Sequence, residues 1–284
     1  MKSGTTTLHE LLAEHPNICM SEPKEPCYFV DPDLLKGMWP EMWGLGFWRD
    51  EASYLRLFSG KPTARYFGES STDYSKLSKI SGVVERIAAF SPGAHFIYIM
   101  RDPVERTLSH YWHMVEHRGE KRGPLEAIMQ DPHYMDVSHY SMQLKPYIET
   151  FGRERLHVLT FEELTSDPAK AVGEVFRWLG VVTNFVPDSL SSAHNVTSQQ
   201  LQQQRHGMSW LRSFRHSAFW GKIGPIAPLW LRRMGVSLIE RPVQRTRVDV
   251  SEVIRYLKPI QREQTNDLIQ LIGREFPEWK TLYG

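Results

Sequence analysis

Met1-Lys2-Ser3-Gly4-Thr5-Thr6-Thr7-Leu8-His9-Glu10-Leu11-Leu12 opens the chain, and its reading decides the fold. One Lys and one Gly stand among small hydroxyl residues, and Leu8, Leu11 and Leu12 behind them share one helical face. This pattern predicts a tight loop feeding a helix from Thr5 to Glu14, which stops near His15 because Pro16 disfavours helix in the residue before it. Free N–H groups at a helix start, with the positive end of the dipole, attract a phosphate-like anion. Lys2 adds a point charge, while Ser3, Gly4, Thr5, Thr6 and Thr7 supply hydroxyl and backbone donors. The same residues also make an ordinary hydroxyl-rich helix cap, and the loop alone leaves both readings open. It is not a Walker A loop, in which the Lys follows the second Gly; here the Lys precedes Gly4.

The 284 residues suffice for one large α/β domain, expected over 1–284, with irregular aromatic segments at 31–60 and 205–247. A net charge of +1 gives no global field for nucleic acid or a membrane surface, so any anion site is local. Cys19 and Cys27 are too few for a disulfide scaffold and fit a reducing compartment. No apolar run reaches the ~18 residues of a membrane span. No secretory signal is read in the opening residues, and the expected location is the cytoplasm. A phosphate loop between strand and helix needs a strand in front of it, yet only Met1 precedes Lys2. The expectation is therefore a first strand that is missing or truncated, unless another segment fills that sheet position.

Downstream, Ile18-Cys19-Met20 reads as a short strand running into the loop Ser21 to Phe29, whose Pro23 and Pro26 hold it away from helix. Glu22, Lys24 and Glu25 thus follow a strand end, where open parallel sheets build their sites. Arg65 to Gly68 predicts another short strand, entering the polar turn Glu69-Ser70-Ser71-Thr72-Asp73-Tyr74, and Ser78 to Phe90 a helix. His95 to Met100 is a β-favouring, mostly apolar run, expected to be a buried parallel strand. Asp102-Pro103 then starts a helix that carries Ser109, eight residues after Arg101. The bland alternative for Arg101 alone is a helix-start ion pair with Asp102, which the whole string outweighs. Arg106 is expected to be structural or ion-paired. His110, His113 and His117 have helical spacing without a fourth ligand, and are taken as a solvated or acceptor-facing helix face with no metal. Gln143 to Phe151 predicts a helix, Arg153 to Leu164 a turn, strand and loop, and Asp167-Pro168 a helix ending near Gly180. Ser191 to Ser198 is a polar loop, and Val253 to Phe276 holds closing helices interrupted near Pro259.

Three of these elements, in this order, resemble the PAPS (3′-phosphoadenosine 5′-phosphosulfate) dependent sulfotransferases. Lys2-Ser3-Gly4-Thr5-Thr6 resembles the loop that holds the 5′-phosphosulfate. Glu25-Pro26-Cys27-Tyr28-Phe29 resembles the segment of glycan-type members in which a Glu precedes two aromatics. Arg101 and Ser109 match the spacing of the residues that bind the 3′-phosphate, for which the planar Arg fork suits phosphate oxygens. The resemblance covers roughly residues 1–180 well and implies a P-loop NTPase-like central parallel sheet flanked by helices.

It also implies Glu25 and Lys2 as catalytic groups. Ser3, Gly4, Thr5, Thr6, Thr7, Arg101 and Ser109 become nucleotide contacts, with Asn195 and Ser198 from a loop closing over the nucleotide. Two positions depart from the pattern. Cys27 stands where His is frequent, and Ser70 where some members carry a Lys, so the transferring group has one charge fewer or draws it from Lys24 or elsewhere. The implied reaction is sulfuryl transfer from PAPS to a hydroxyl or amine of a glycan, lipid or small-molecule acceptor, needing no metal. The rival readings are a P-loop kinase-like phosphotransferase and a non-catalytic nucleotide- or glycan-binding relic. Acceptor identity and oligomeric state are not written in the sequence.

Overall fold

The structure, a computed structural model, describes residues 3–192, 200–204, 240–244 and 248–284. These include helices α1 (Thr5–Glu14), α2 (Pro32–Met38), α3 (Pro40–Leu45), α4 (Glu51–Leu55), α5 (Val83–Phe90), α6 (Pro103–His117) and α7 (Pro124–Gln130). They continue with α8 (His133–Asp136), α9 (Tyr140–Phe151), α10 (Phe161–Ser166), α11 (Pro168–Leu179), α12 (Ser251–Ile272) and α13 (Lys280–Tyr283). The strands are β1 (Ile18–Met20), β2 (Tyr66–Gly68), β3 (Phe96–Met100), β4 (Leu156–Thr160), β5 (Gln200–Gln204) and β6 (Glu240–Gln244).

Contacts divide the chain into two compact units, the first from 1–107, 132–195 and 254–284, the second from 108–131 and 196–253. In the first unit β1 pairs in parallel with β2, Ile18 opposite Tyr66 and Met20 opposite Gly68. Likewise β3 pairs in parallel with β4, from Phe96 opposite Leu156 to Met100 opposite Thr160. Parallel strands are stable when helices cover both faces, and that is the arrangement here. One core joins Leu8, Leu11 and Leu12 of α1 and Val172, Val175 and Phe176 of α11 to Ile18, Ile99 and Leu159. Another joins Val83, Val84 and Ile87 of α5 to Leu35, Tyr54, Phe58 and Tyr147. The second unit includes α7 and an antiparallel β5–β6 pair, Gln200 opposite Gln244.

The expected α1 and β1 have the boundaries read from the sequence. Four expectations are corrected. Residues 31–60, read as irregular, form short helices: Asp31 caps α2 through Asp33 N and Leu34 N, Pro32 and Pro40 sit in first turns, and Asp50 caps α4. Pieces of five to seven residues are too short to show a helical period. Residues 161–164, read as loop, belong to α10, set by a capping box in which Thr160 and Glu163 bond each other's backbone N–H. The helix expected over 78–90 begins only at Val83, after the left-handed Gly82. Pro259 does not interrupt α12; it lies on the exposed face, while Leu257, Gln261, Thr265 and Leu268 make a continuous buried row.

Candidate functional site

The site is built where α1 begins. Gly4, at φ 84°, is the N-cap of α1 and supplies no side-chain cap, so the first-turn N–H groups keep their donors open. A Cβ at Gly4 would lie 3.0 Å from the Phe161 ring, so the positive φ and the close approach both call for glycine. This bare, glycine-cradled helix start suits an anionic phosphosulfate group. Ser3 is buried beside it. Lys2, and with it Asn195 and Ser198, lies outside the described residues.

Phe161 also carries the Arg101 guanidinium over its ring, 5.1 Å from the centroid. One ring thus meets both the α1 loop and Arg101, just past the end of β3. Arg101 pairs at 3.3 Å with Glu105, not with Asp102. Asp102 is committed elsewhere: Oδ1 accepts from Val104 N and Glu105 N, and Oδ2 accepts from Leu282 N. Arg106 is fully buried and donates to Ser138 Oγ and the Tyr134 carbonyl, a structural role in which burial lowers its pKa to about 10. Ser109 is buried two turns into α6. His110 is buried, so the solvated half of the solvated-or-acceptor-facing expectation does not hold for it, and His113 and His117 stack at 4.3 Å. Among the described residues no cluster of His, Cys, Asp or Glu is placed to hold a metal ion.

The loop after β1 brings Glu25 to the same region. Glu25 and Cys27 have φ 62° and 53°, left-handed values that non-glycine residues adopt at a cost of order 1 kcal/mol each. The surrounding bonds hold them there. Cys27 N donates to Ser71 Oγ at 3.1 Å, and Cys27 Sγ donates to the Glu25 carbonyl at 3.3 Å. Glu25 Oε1 pairs with Lys24 Nζ at 2.5 Å, and Oε2 accepts from Thr72 Oγ1 at 3.3 Å. Burial, then Asp73 and Glu25, push the Cys27 thiol well above its ordinary range, so it stays protonated.

The turn after β2 is tied to both sides. Ser70 Oγ bonds His9 Nδ1 of α1 at 2.9 Å, two residues from the Thr72 that holds Glu25. Burial and then Lys24 lower the His9 pKa, against the opposing pull of Glu25, so His9 senses both charged residues of the loop. Sequence reading named Ser70 as a departure but missed His9, whose position on the second turn of α1 gave no periodic signal. It also passed over Glu69 as a group of its own. Both Glu69 carboxyl oxygens are buried and lack a hydrogen-bond partner of normal geometry, with the Tyr74 and Ser71 hydroxyls nearby; burial pushes its pKa up to about 8. Two carboxyl groups with different environments therefore lie here. Burial favours the protonated form of Glu69, while Glu25 is paired with Lys24.

A family model described as a sulfotransferase domain matches residues 1–211. The chain belongs to the sulfotransferase family. This sulfotransferase is 24% identical over 203 residues to bifunctional heparan sulfate N-deacetylase/N-sulfotransferase 4 of Mus musculus, covering 65% of this chain and 22% of that protein. It is 23% identical over 203 residues to bifunctional heparan sulfate N-deacetylase/N-sulfotransferase 3 of Homo sapiens, with the same coverage. The chain thus spans about a fifth of the length of the curated relatives it matches. Among solved structures, a sulfotransferase from Alicyclobacillus acidocaldarius matches with a TM-score of 0.66 at 25% identity, over 98% of this chain and 94% of that one. The fold is accordingly the P-loop NTPase-like α/β fold of PAPS-dependent sulfotransferases, as the opening loop implied. Among the described residues no helix is long and apolar enough to cross a membrane.

Proposed function

We propose that this sulfotransferase moves the sulfuryl group of PAPS to a hydroxyl or amine of an acceptor, with Glu25 as general base. The observation that carries the reading is the 69–72 turn, which bonds α1 through Ser70 and His9 and bonds Glu25 through Thr72. This turn ties Glu25 and α1 to one another, which supports a base acting close to the uncapped helix start. Burial favours the protonated form of Glu69, whereas Glu25 is partly exposed and paired with Lys24, which supports Glu25 for the task.

In this reading Glu25 takes the acceptor proton as the acceptor atom bonds sulfur. The bond from sulfur to the bridging oxygen breaks, and adenosine 3′,5′-bisphosphate leaves. Negative charge builds on the departing 5′-phosphate. Lys2, the Ser3 and Thr7 hydroxyls and the N–H groups from Gly4 to Thr6 stabilise it, as preorganised donors do in phosphoryl transfer. Arg101 and Ser109 hold the 3′-phosphate, and Asn195 and Ser198 contact the nucleotide. The acceptor is a glycan, lipid or small molecule; a glycan amine or hydroxyl comes first because the relatives are named for N-sulfation of heparan sulfate. A reducing, cytoplasmic setting accompanies this reading, supported by the buried free thiols Cys19 and Cys27.

Glu25→Gln tests it. The variant keeps the shape of the side chain and loses the base, so the transfer rate should fall about 10²–10⁴-fold with binding of adenosine 3′,5′-bisphosphate nearly unchanged. A Gln variant that transfers sulfate at the normal rate refutes the assignment.

A further inference from the structure

The loop that carries Glu25 rests on the turn after β2. Two of its N–H groups are spent on hydroxyls of that turn. Cys27 N donates to Ser71 Oγ at 3.1 Å, and Phe29 N donates to Tyr74 Oη at 3.1 Å. These bonds bracket the left-handed Cys27, and the left-handed Glu25 lies two residues before it. A third bond from the same turn, Thr72 Oγ1 to Glu25 Oε2, reaches the carboxylate itself. Non-glycine residues keep a positive φ only where their surroundings over-determine it.

A hydroxyl has one proton to donate and lone pairs with which to accept. Ser71 and Tyr74 each accept an N–H from the loop, so each has its own proton left for an acceptor. The Glu69 carboxyl is the group that both hydroxyls approach. Its two oxygens are buried, and it shares one cavity wall with Ser71, Thr72 and Tyr74. Two chains therefore start from Glu69, one through Ser71 to Cys27 N and one through Tyr74 to Phe29 N. Hydrogen bonds in such a chain polarise and strengthen one another. The turn itself is fastened separately: Tyr147 Oη of α9 donates to the Tyr74 carbonyl at 2.6 Å, and Lys76 pairs with the buried Asp73. Losing the Glu69 carboxyl would thus loosen the Glu25 loop and leave its support in place.

We propose that Glu69 is a positioning residue for the Glu25 loop: its buried carboxyl accepts from the Ser71 and Tyr74 hydroxyls, which in turn hold Cys27 N and Phe29 N and so fix the left-handed stretch that aims Glu25. This rests on the reading of Glu25 as general base. Glu69 acts through the loop and not on the reacting atoms.

Glu69→Leu removes both acceptor oxygens, and Glu69→Gln keeps a carbonyl acceptor in the same shape. The first measurement needs no sulfate acceptor. The folded protein is alkylated with iodoacetamide, and Cys27 and Cys19 are followed separately by mass spectrometry. Both thiols are buried, so labelling reports local opening, with Cys19 of β1 as the reference outside the loop. Glu69→Leu should speed labelling of Cys27 at least about tenfold relative to Cys19, and Glu69→Gln should speed it less. An unchanged Cys27, equal rises at the two thiols, or a Gln variant no better than Leu overturns the proposal.

The second measurement is sulfate transfer from PAPS to de-N-sulfated heparan sulfate, beside binding of adenosine 3′,5′-bisphosphate. Glu69→Leu should lower kcat about 100-fold, the size of a small misplacement at a reacting centre, with bisphosphate affinity changed by less than about twofold. In a Glu25→Gln background the same substitution should lower kcat by less than about twofold more, because the group that it aims is gone. A full further loss in that background overturns the proposal, as does an equal loss of bisphosphate affinity. If Glu25→Gln alone transfers sulfate at the normal rate, the base assignment falls, and the Cys27 labelling by itself decides whether Glu69 holds the loop.

Discussion

Helices α1 and α6 both begin at the carboxyl end of the parallel strands, yet their first turns are finished in opposite ways. At α6, Asp102 closes the turn, spending one oxygen on Val104 N and Glu105 N and the other on Leu282 N. At α1, Gly4 closes nothing, and the N–H groups stay available. A protein carboxylate occupies the first anion position; at the second no side chain caps the turn. In the proposed reading, Arg101 serves beside a capped helix because the backbone donors there are already used and the charge must come from a side chain.

The largest expected effect comes from making α1 resemble α6. Gly4→Asp places a carboxylate on the open donors and should lower affinity for adenosine 3′,5′-bisphosphate by about 100-fold in a titration. Gly4→Asn, which tolerates positive φ and adds no charge, should lose less, separating repulsion from the contact with Phe161. Equal losses would mean that volume, not charge, distinguishes the two helix starts. Arg101→Ala comes next: bisphosphate binding should weaken roughly 30-fold, in the range of a charge-assisted hydrogen bond, with little change for AMP. A similar loss for AMP would take Arg101 away from the 3′-phosphate. The smallest effect is on stability. Asp102→Ala removes the α6 cap and should cost about 1–2 kcal/mol in denaturant unfolding while bisphosphate affinity stays within error. A large loss of affinity would show that the capped helix start also serves the ligand.

Much of this was legible in the residues. The boundaries of α1 and β1, the strand before Arg101 and the Asp-Pro start of α11 came from apolar pattern and capping chemistry, which act over a few residues. The capping box Thr160 to Glu163 was equally local but was passed over, and α10 was missed with it. The short helices of 31–60 escaped because no single turn or two can display a period; their Trp, Tyr and Phe side chains are held by packing on α5 and the strand layer. The site divides in the same way. Glu25 was visible through its neighbours Tyr28 and Phe29, whereas His9 carried no motif and the separate burial of Glu69 within its turn was not legible; both stand out through Ser70 and a buried cavity wall.

What the sequence by itself determined is the chemistry offered: a glycine that must turn with positive φ, hydroxyls and a lysine around it, a carboxylate after a strand, an arginine after another. Those are properties of residue types and short spacings, and they hold before the chain folds. Only the tertiary structure decided which carboxyl group is buried and which pairs with a lysine, and which helix start is capped by a side chain and which is not. Burial and hydrogen-bond partners set those outcomes, and both come from residues sixty or more positions apart, as with His9 and Ser70.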